Sequence, residues 1–173
     1  RSLEPLRPSR PGLQFADLSK ETVERVKKSI LDTLGCVIDG SNASGTEELV
    51  NMVRDWGGKP ESSILVFGDK VPTPHSVLVN CSMGRAHDYD DFHEKGMVHT
   101  GAGITPACLA IAEKVGGVSG KDFITACAVG FEVSLRVARG ARVHTIHGRG
   151  YHPTAVCGVF GGMITTSPGP ITR

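Results

Sequence analysis

Apolar residues recur at helical spacing in four segments of this chain, and a glycine follows or closes each of the four. In the first segment, Ser19 is a good N-cap, and the apolar positions from Val23 to Val37 fall every three or four residues with charged residues between them. The segment is expected to end at Gly40. This spacing predicts an amphipathic helix, because a half-buried strand would alternate with a period of two.

The other three segments carry comparable helix signals. A second helix is predicted over residues 46–56, and it forms a hairpin with the first because the connection is short and rich in turn residues. Thr105 and Pro106 match an N-cap followed by a proline at the first helical position, which predicts a helix over residues 105–115. A further helix is predicted over residues 119–140. These last two form a second hairpin.

The rest of the folded part carries weaker signals. Residues 63–68 are apolar but too few for a helix, and the prolines after them are expected to prevent regular structure, so this part is predicted to be extended. A mostly buried helix is predicted from His75 towards His87, and another begins at Pro153. Because only residues 63–68 resemble a strand, the pattern predicts an all-α fold of packed helical hairpins. The alternative, a doubly wound α/β sheet, would need repeated strand signals.

The composition narrows the classes of protein that fit this pattern. A chain of 173 residues, 39% of them hydrophobic, can bury one core, and no apolar run is long enough to cross a membrane. A net charge of +1 with interspersed signs gives no basic face for nucleic acid. Five widely spaced cysteines indicate reduced core thiols, which predicts a cytoplasmic protein, or a mitochondrial one in a eukaryote.

Both ends of the sequence lack helical periodicity. Residues 1–14 are rich in proline and arginine and are expected to form a flexible leader. Residues 162–173 are turn-like and are expected to form an irregular tail. The sequence between these two ends has no internal repeat and no domain boundary, so residues 15–161 are predicted to fold as one unit.

The segment over residues 85–106 concentrates the ionisable groups of the chain. It holds three aspartates, three histidines and a glutamate, and no lysine or arginine follows Asp88 or Asp90 four residues later, although Lys95 follows Asp91 at that spacing. Such density is unlike a solvated helix face, where opposite charges pair at that spacing. The cluster is therefore a candidate site, and the alternative is a polar loop that caps the next helix.

A second candidate lies at His152, directly before the helix that begins at Pro153. The first amides of a helix have no partner within it, and the helix dipole is positive at that end. The backbone N–H groups of Thr154 and Ala155 are therefore predicted to bind a carboxylate or a phosphate beside an imidazole that can move protons.

Three interpretations of these histidines and aspartates remain open. Proton transfer without a metal needs groups that titrate near neutrality, and His99 and His152 are the candidates for that role. The pair His87 and Asp88 is similar to the His-Asp pair of helical metal phosphohydrolases, with His75 upstream as a further ligand. The third interpretation is structural, since most single histidines are surface groups or hydrogen-bonded core groups.

Several motifs, in order and spacing, resemble the MmgE/PrpD family over residues 15–161. They are L-D-T-L-G-C-V-I-D-G, A-H-D-Y-D-D-F-H, H-T-G-A-G-I-T-P-A-C-L-A-I-A-E and G-R-G-Y-H-P-T-A-V-C-G-V-F-G. The family includes 2-methylcitrate dehydratase, cis-aconitate decarboxylase and iminodisuccinate epimerase, which move a proton beside a carboxylate without a cofactor. The resemblance thus implies the first part of a helical domain, a small di- or tricarboxylate substrate, a homodimer, and neither metal nor cofactor.

Carried over residue by residue, the resemblance implies that Asp88, His99 and His152 are catalytic. The adjoining residues predicted to bind substrate are Asp91, Thr100, Thr154 and Ala155. Two positions depart from the family pattern, since Phe92 stands where threonine is usual and Thr100 where proline is common. These departures leave open which carboxylate is the substrate and whether it is dehydrated, decarboxylated or epimerised.

Family members are more than twice as long as this sequence, with further helices and a second α+β domain whose lysines contact substrate. We expect residues 15–161 to correspond to part of the helical domain only. A non-catalytic helical interaction domain that keeps the histidine and aspartate cluster is therefore an alternative to an enzyme.

Overall fold

A computed structural model describes residues 13–166, which confirm the predicted mostly helical fold. Within these residues a 3₁₀ turn at Phe15–Asp17 precedes seven helices and one two-stranded antiparallel sheet. The elements are α1 (Lys20–Gly40), α2 (Thr46–Trp56), β1 (Ser62–Ser63), β2 (Lys70–Val71), α3 (Thr73–Arg85), α4 (Gly101–Val115), α5 (Gly120–Gly140), α6 (Val143–Gly148) and α7 (Pro153–Thr166). None of these helices combines the length and the apolar character that a membrane span requires. All five cysteines are free thiols.

Helix α1 begins and ends where the sequence predicts, although Gly40 acts differently from a left-handed cap. The Ser19 side chain accepts a hydrogen bond from the Thr22 amide at 3.1 Å, which satisfies one of the first free N–H groups. At the other end, a Cβ on Gly40 would overlap the carbonyl oxygen of Met83. Gly40 is therefore needed for the close approach of α1 to α3, and the left-handed residue before α2 is Gly45, with a φ of 85°.

Helix α3 begins at Thr73, two residues before the predicted start, so the prediction that the prolines exclude regular structure is wrong here. Pro72 is the N-cap and Pro74 lies in the first turn. A proline is tolerated in the first turn because the N–H that it lacks would have no partner within the helix. The extended part of the chain is correspondingly short, with β1 and β2 joined by a turn.

Helix α4 begins at Gly101, so the predicted start at Thr105 is also wrong. Pro106 lies inside the helix rather than at its first position, and α4 gives up the bond that this residue would donate to the carbonyl of Ala102. The earlier start has a cause outside the helix. The Asp91 carboxylate accepts hydrogen bonds from the backbone at the N-terminus of α4 and thereby caps it.

Helix α7 continues through residues 162–166, so the predicted irregular tail is wrong for this stretch. A Cβ on Gly161 would overlap Ser134 Oγ and the Gly130 carbonyl oxygen, which shows that α7 runs in close contact with α5. This packing stabilises helical structure where the local sequence carries turn signals. Residues 1–12 of the predicted leader and residues 167–173 of the predicted tail lie outside the described residues.

Helix α4 is the central helix of the described structure. It packs against α1, α3, α5 and α7. Its small side chains, including Ala107, Cys108 and Ala110, are buried and let these neighbours approach closely. Because the N-terminus of α4 follows directly on the segment with the ionisable cluster, the core fixes the position of that segment.

The sheet is joined to α4 by Glu113. Its carboxylate accepts hydrogen bonds from the Ser63 backbone and, at 2.6 Å, from the Ser63 hydroxyl, and it pairs with Lys70. Burial of the carboxyl group opposes its ionisation, but the contacts with Lys70 and Ser63 outweigh burial, so the pKa of Glu113 lies below its usual range. The ionised carboxylate therefore stabilises the fold above the pKa of the unfolded chain, and this contribution is lost as the pH falls through the lowered pKa.

Replacing Glu113 by glutamine tests this contact. E113Q should have a lower melting temperature than the parent protein at neutral pH, because the ion pair with Lys70 is lost. The difference should shrink as the pH falls below 4.5, the ordinary value for this group, because the parent carboxylate then also becomes protonated. Thermal unfolding of both proteins across the acid range measures this, and a difference independent of pH would contradict it.

Candidate functional site

The segment between α3 and α4, residues 86–100, forms the site loop. Two of its residues have a left-handed backbone, Asp88 with a φ of 58° and Met97 with a φ of 48°. Between them the loop folds back on itself, since the His93 amide donates a hydrogen bond to the Val98 carbonyl oxygen at 3.0 Å. Val98 is buried and packs with Ala138 of α5 and with residues of α6 and α7. The site loop is therefore anchored to the core at this end.

The Asp91 carboxylate fixes the end of the site loop to α4. It accepts a hydrogen bond from the Thr100 hydroxyl at 2.7 Å and from the Gly101 amide at 2.6 Å, and a longer one from the Thr100 amide at 3.3 Å. A Cβ on Gly101 would overlap this carboxylate and the Thr33 hydroxyl, so the residue there must be glycine. Asp91 and Thr100 thus have a structural role in the cap, and their assignment to substrate binding stays a prediction.

Asp90 is the buried carboxylate of the site. Its side chain has no exposed surface, and its Oδ1 accepts a hydrogen bond from the Arg85 guanidinium. The same Oδ1 lies 3.3 Å from Nδ1 of His99, and Arg85 lies at the same distance from that nitrogen. A buried carboxylate needs such a partner, since removing a charge from water costs several kcal/mol.

Asp88 lies at the exposed end of this group of charges. Its side chain is 74% exposed and lies 2.7 Å from Arg85, and this hydrogen-bonded ion pair lowers the pKa of Asp88. The assignment of Asp88 to catalysis stays a prediction, and the aspartate whose oxygen lies 3.3 Å from His99 Nδ1 is Asp90. The sequence carries one signal for Asp90, since Arg85 lies five residues earlier and can reach it from the end of α3.

His99 and His152 are connected through Thr154. The His99 amide donates a hydrogen bond to Thr154 Oγ1 at 3.0 Å, and the Thr154 amide donates one to Nδ1 of His152 at 3.2 Å. In its neutral form the His152 ring therefore carries its proton on Nε2. The Thr154 amide is engaged by this imidazole, and so is not the unpartnered donor that was expected, whereas the role of Ala155 stays a prediction.

One open cleft of about 340 Å³ brings the two imidazoles together. Its lining includes His99 from the site loop, His152 from the start of α7, and also His147 of α6, which the sequence did not single out. The apolar part of the lining consists of Phe92, Met97, Tyr151 and Pro153. Asp88 is not part of the lining, although charge on His99 and His152 contributes to its lowered pKa after the larger effect of Arg85.

A metal site was the alternative interpretation of this cluster. Ligand atoms of Asp88, Asp90 and His99 lie within 4.8 Å of one another. Arg85 already bonds both carboxylates, so a cation is present where a metal ion would have to bind. The predicted pair of His87 and Asp88 does not converge, because Nδ1 of His87 binds Asp39 instead.

The structure is a helical domain with an open cleft that could hold a small molecule. Two histidines line this cleft, and one of them, His99, lies beside the buried carboxylate of Asp90. Residues 11–167 match the family model described as the MmgE/PrpD N-terminal domain. The chain therefore belongs to the MmgE/PrpD family, as its motifs had implied.

Three curated relatives are similar to this chain. A cis-aconitate decarboxylase of Aspergillus terreus is 27% identical over 159 residues, which are 90% of this chain and 32% of that protein. The human cis-aconitate decarboxylase is 27% identical over 164 residues, 90% of this chain and 33% of that protein. A cis-aconitate decarboxylase-like protein of Aspergillus oryzae is 27% identical over 84% of this chain and 32% of its own length. The chain thus spans about a third of the length of these relatives.

Matched substitutions distinguish the two aspartates that bind Arg85. Asp90→Asn removes the charge that balances the buried part of the guanidinium, so the free energy of unfolding should fall by about 2–3 kcal/mol. Asp88→Asn alters an exposed pair at a position where asparagine tolerates the left-handed backbone, and should lower the free energy of unfolding clearly less than Asp90→Asn. Urea denaturation measures both values. If both substitutions lower the free energy of unfolding equally, the assignment of Asp90 as the buried partner of Arg85 is contradicted.

Proposed function

We propose that this chain is the histidine-bearing part of a lyase, a dehydratase or decarboxylase, that acts on a small di- or tricarboxylate. The family and the activity named for the relatives support this class of enzyme and suggest cis-aconitate as a substrate to test. The reaction is proton transfer beside a carboxylate, with His99 and His152 as the acid–base pair and no metal. Epimerisation begins with the same proton transfer and belongs to the same proposal.

The observation that carries the proposal is that His99 and His152 line the same cleft. The imidazole is the side chain whose ordinary pKa suits it both to remove and to donate a proton near neutral pH. Two imidazoles that face one bound molecule can act from two sides, one as the base and one as the acid. A pair of buried structural histidines would not line an open cleft.

His152 suits the role of acid. Because its Nδ1 accepts the Thr154 amide, the neutral ring presents an N–H at Nε2. Removing a proton beside a carboxylate builds negative charge on that group as an enediolate, and fixed donors must stabilise the charge. The start of α7 adds its positive dipole at His152. The helix amide thus acts through the imidazole rather than on the substrate directly.

His99 suits the role of base. Its Nδ1 lies 3.3 Å from Asp90 Oδ1 and equally far from the Arg85 guanidinium, which can only donate. We assign His99 the tautomer with its proton on Nδ1, next to the Asp90 carboxylate, and in that tautomer the lone pair of Nε2 is free to accept the proton of the substrate. As His99 becomes positive, the buried carboxylate stabilises its charge. Before the proton is transferred, the positive charge of the Arg85 guanidinium balances the negative charge of the Asp90 carboxylate. In this scheme Asp90 acts through His99 and does not touch the substrate.

Ligand-dependent stabilisation tests the proposal directly. cis-Aconitate, citrate or 2-methylcitrate at about 100 times its dissociation constant should stabilise the parent protein by about 2.7 kcal/mol, measured as a rise in melting temperature. The His99→Ala and His152→Ala variants should lose most of this rise, while the control variant His144→Ala, at an exposed position of α6, should keep it. Where turnover is measurable, either site variant should lower kcat by about 10²–10⁴-fold.

Two other outcomes would replace the proposal. If none of the three carboxylates raises the melting temperature, the non-catalytic interaction domain is the better account of this chain. If instead a divalent metal raises the melting temperature and a chelator reverses the rise, the group of Asp88, Asp90 and His99 binds metal and the hydrolase alternative gains support.

We also propose that the chain forms a homodimer through α7. One face of this helix carries apolar side chains that are largely exposed, among them Val159 at 62% and Phe160 at 43%. Exposed apolar patches of this kind mark association surfaces, because their burial removes apolar area from water. A second copy of the chain would present the same face and cover it symmetrically.

Sedimentation velocity tests the dimer. The parent protein should sediment as a dimer at micromolar concentration, and Val159→Glu should sediment as a monomer because it places a charge in the apolar contact. Leu31→Glu is the matched control, since Leu31 is 73% exposed on α1 and should not affect the interface. A parent protein that remains monomeric would contradict the proposal.

A further inference from the structure

The arginines of the described chain fall into two groups. Four of the arginines within residues 13–166 each pair with an aspartate or a glutamate. The others are exposed and form no ion pair with the described residues, and they are Arg139, Arg142 and Arg149. Residues 133–173 contain no aspartate or glutamate, and Glu132, the acidic residue before them, binds Arg136. These three guanidinium groups, the arginine rim, therefore carry positive charge that no nearby carboxylate balances.

The arginine rim borders the cleft that holds His99 and His152. Arg149 lies in sequence between His147 and Gly150, and both of these residues line the cleft. Arg142 is the N-cap of α6, so one short helix separates it from His147. Charges at this range act on an ion in the cleft, because the Debye length is about 8 Å at physiological ionic strength and about 30 Å at 10 mM.

Helix α6 holds the rim in a fixed relation to both imidazoles. Val143 is 2% exposed and packs with Val98, Ala138 and Cys157. Val98 directly precedes His99 in the site loop, and Cys157 belongs to α7, which follows His152. One small apolar cluster thus joins the helix of the rim to the elements that carry the proton-transfer groups.

The size of the rim favours a small anion as its ligand. Exposed arginines are often simply solvated, but here all the unpaired ones of the described chain occur within eleven residues, beside a cleft. Like charges gathered in this way repel one another, and a bound anion relieves the repulsion. Three charges suit a ligand with two or three carboxylates. A nucleic-acid surface commonly contacts about 6–10 phosphates, which exceeds what this rim offers.

We propose that the arginine rim attracts polycarboxylates into the cleft, and that Arg142 and Arg149 thereby make the affinity rise with the number of carboxylates. The inference rests on the proposed function, because it takes the cleft to be the place where a carboxylate binds. It goes further in that it assigns the selection for a second and a third carboxylate to residues that transfer no proton.

Binding of three probes to the 173-residue chain tests the rim. Isothermal titration would compare butyrate, succinate and tricarballylate, which carry one, two and three carboxylates. The double variant Arg142→Asn with Arg149→Gln removes two positive charges, and asparagine tolerates the left-handed backbone at position 142. At about 10 mM ionic strength this variant should bind tricarballylate about tenfold more weakly and butyrate at most about twofold more weakly, because the Coulomb energy scales with the product of the charges.

A matched variant separates the local charge from the net charge of the chain. Lys20→Gln with Lys28→Gln removes the same two charges from exposed positions of α1, and it should bind tricarballylate within about twofold of the parent protein. Raising the ionic strength to about 150 mM should reduce the tenfold effect at the rim to about twofold, since salt screens exposed charges.

The outcomes separate this inference from the function on which it rests. If the rim variant weakens all three probes equally, or no more than the α1 variant does, the rim is overturned while the proposed carboxylate chemistry stands. If the rim variant keeps its affinity for tricarballylate but loses binding to a single-stranded DNA, the arginines serve nucleic acid and the inference is overturned. If neither the three probes nor cis-aconitate binds the parent protein, both the inference and the proposed function are overturned.

Discussion

The hydrogen bonds from the start of α4 to the Asp91 carboxylate determine where the groups of the site lie. The first amides of a buried helix need acceptors, and Asp91 supplies them from a loop rather than from the helix itself. The loop is thereby fixed to the central helix, and the neighbouring Asp90 is directed into the interior. His99 precedes the capped residues directly, so its ring is held between the core and the cleft. The residues that cap α4, Asp91 and Thr100, are therefore direct neighbours in sequence of Asp90 and His99, which the proposal assigns to proton transfer.

The charges around this cap are arranged around Arg85. The guanidinium bonds a buried carboxylate, Asp90, and an exposed one, Asp88, and only the buried one also lies beside His99. A buried aspartate that shares its oxygen between a permanent cation and an imidazole can stabilise a proton on that imidazole without itself being exposed to water. The second imidazole, His152, is oriented by a neutral amide instead. The two histidines therefore differ in their surroundings, which supports the proposal of one base and one acid.

The sequence predicted most of the helices, and the errors share a physical cause. Periodicity and the Ser19 cap identified α1, because both signals are local. The start of α4 was misplaced to Thr105 because its cap, Asp91, lies ten residues from the amide that it binds and leaves no local mark. The extent of α7 was missed because it depends on packing of Gly161 against α5. For the site, the motifs predicted His99 and His152 as site residues, and both line one cleft. Asp90 could not be singled out in the same way, because the sequence does not show which of the three neighbouring aspartates is buried.

The central claim is that His99 and His152 face one bound carboxylate. Proton–nitrogen correlation spectra of the imidazole side chains during a titration with cis-aconitate test it most directly, since they report each ring and its proton-bearing nitrogen separately. The account predicts that the resonances of His99 and His152 shift together with a single dissociation constant, while those of His75 and His144 do not move. Shifts confined to one of the two rings, or following two different dissociation constants, would contradict it.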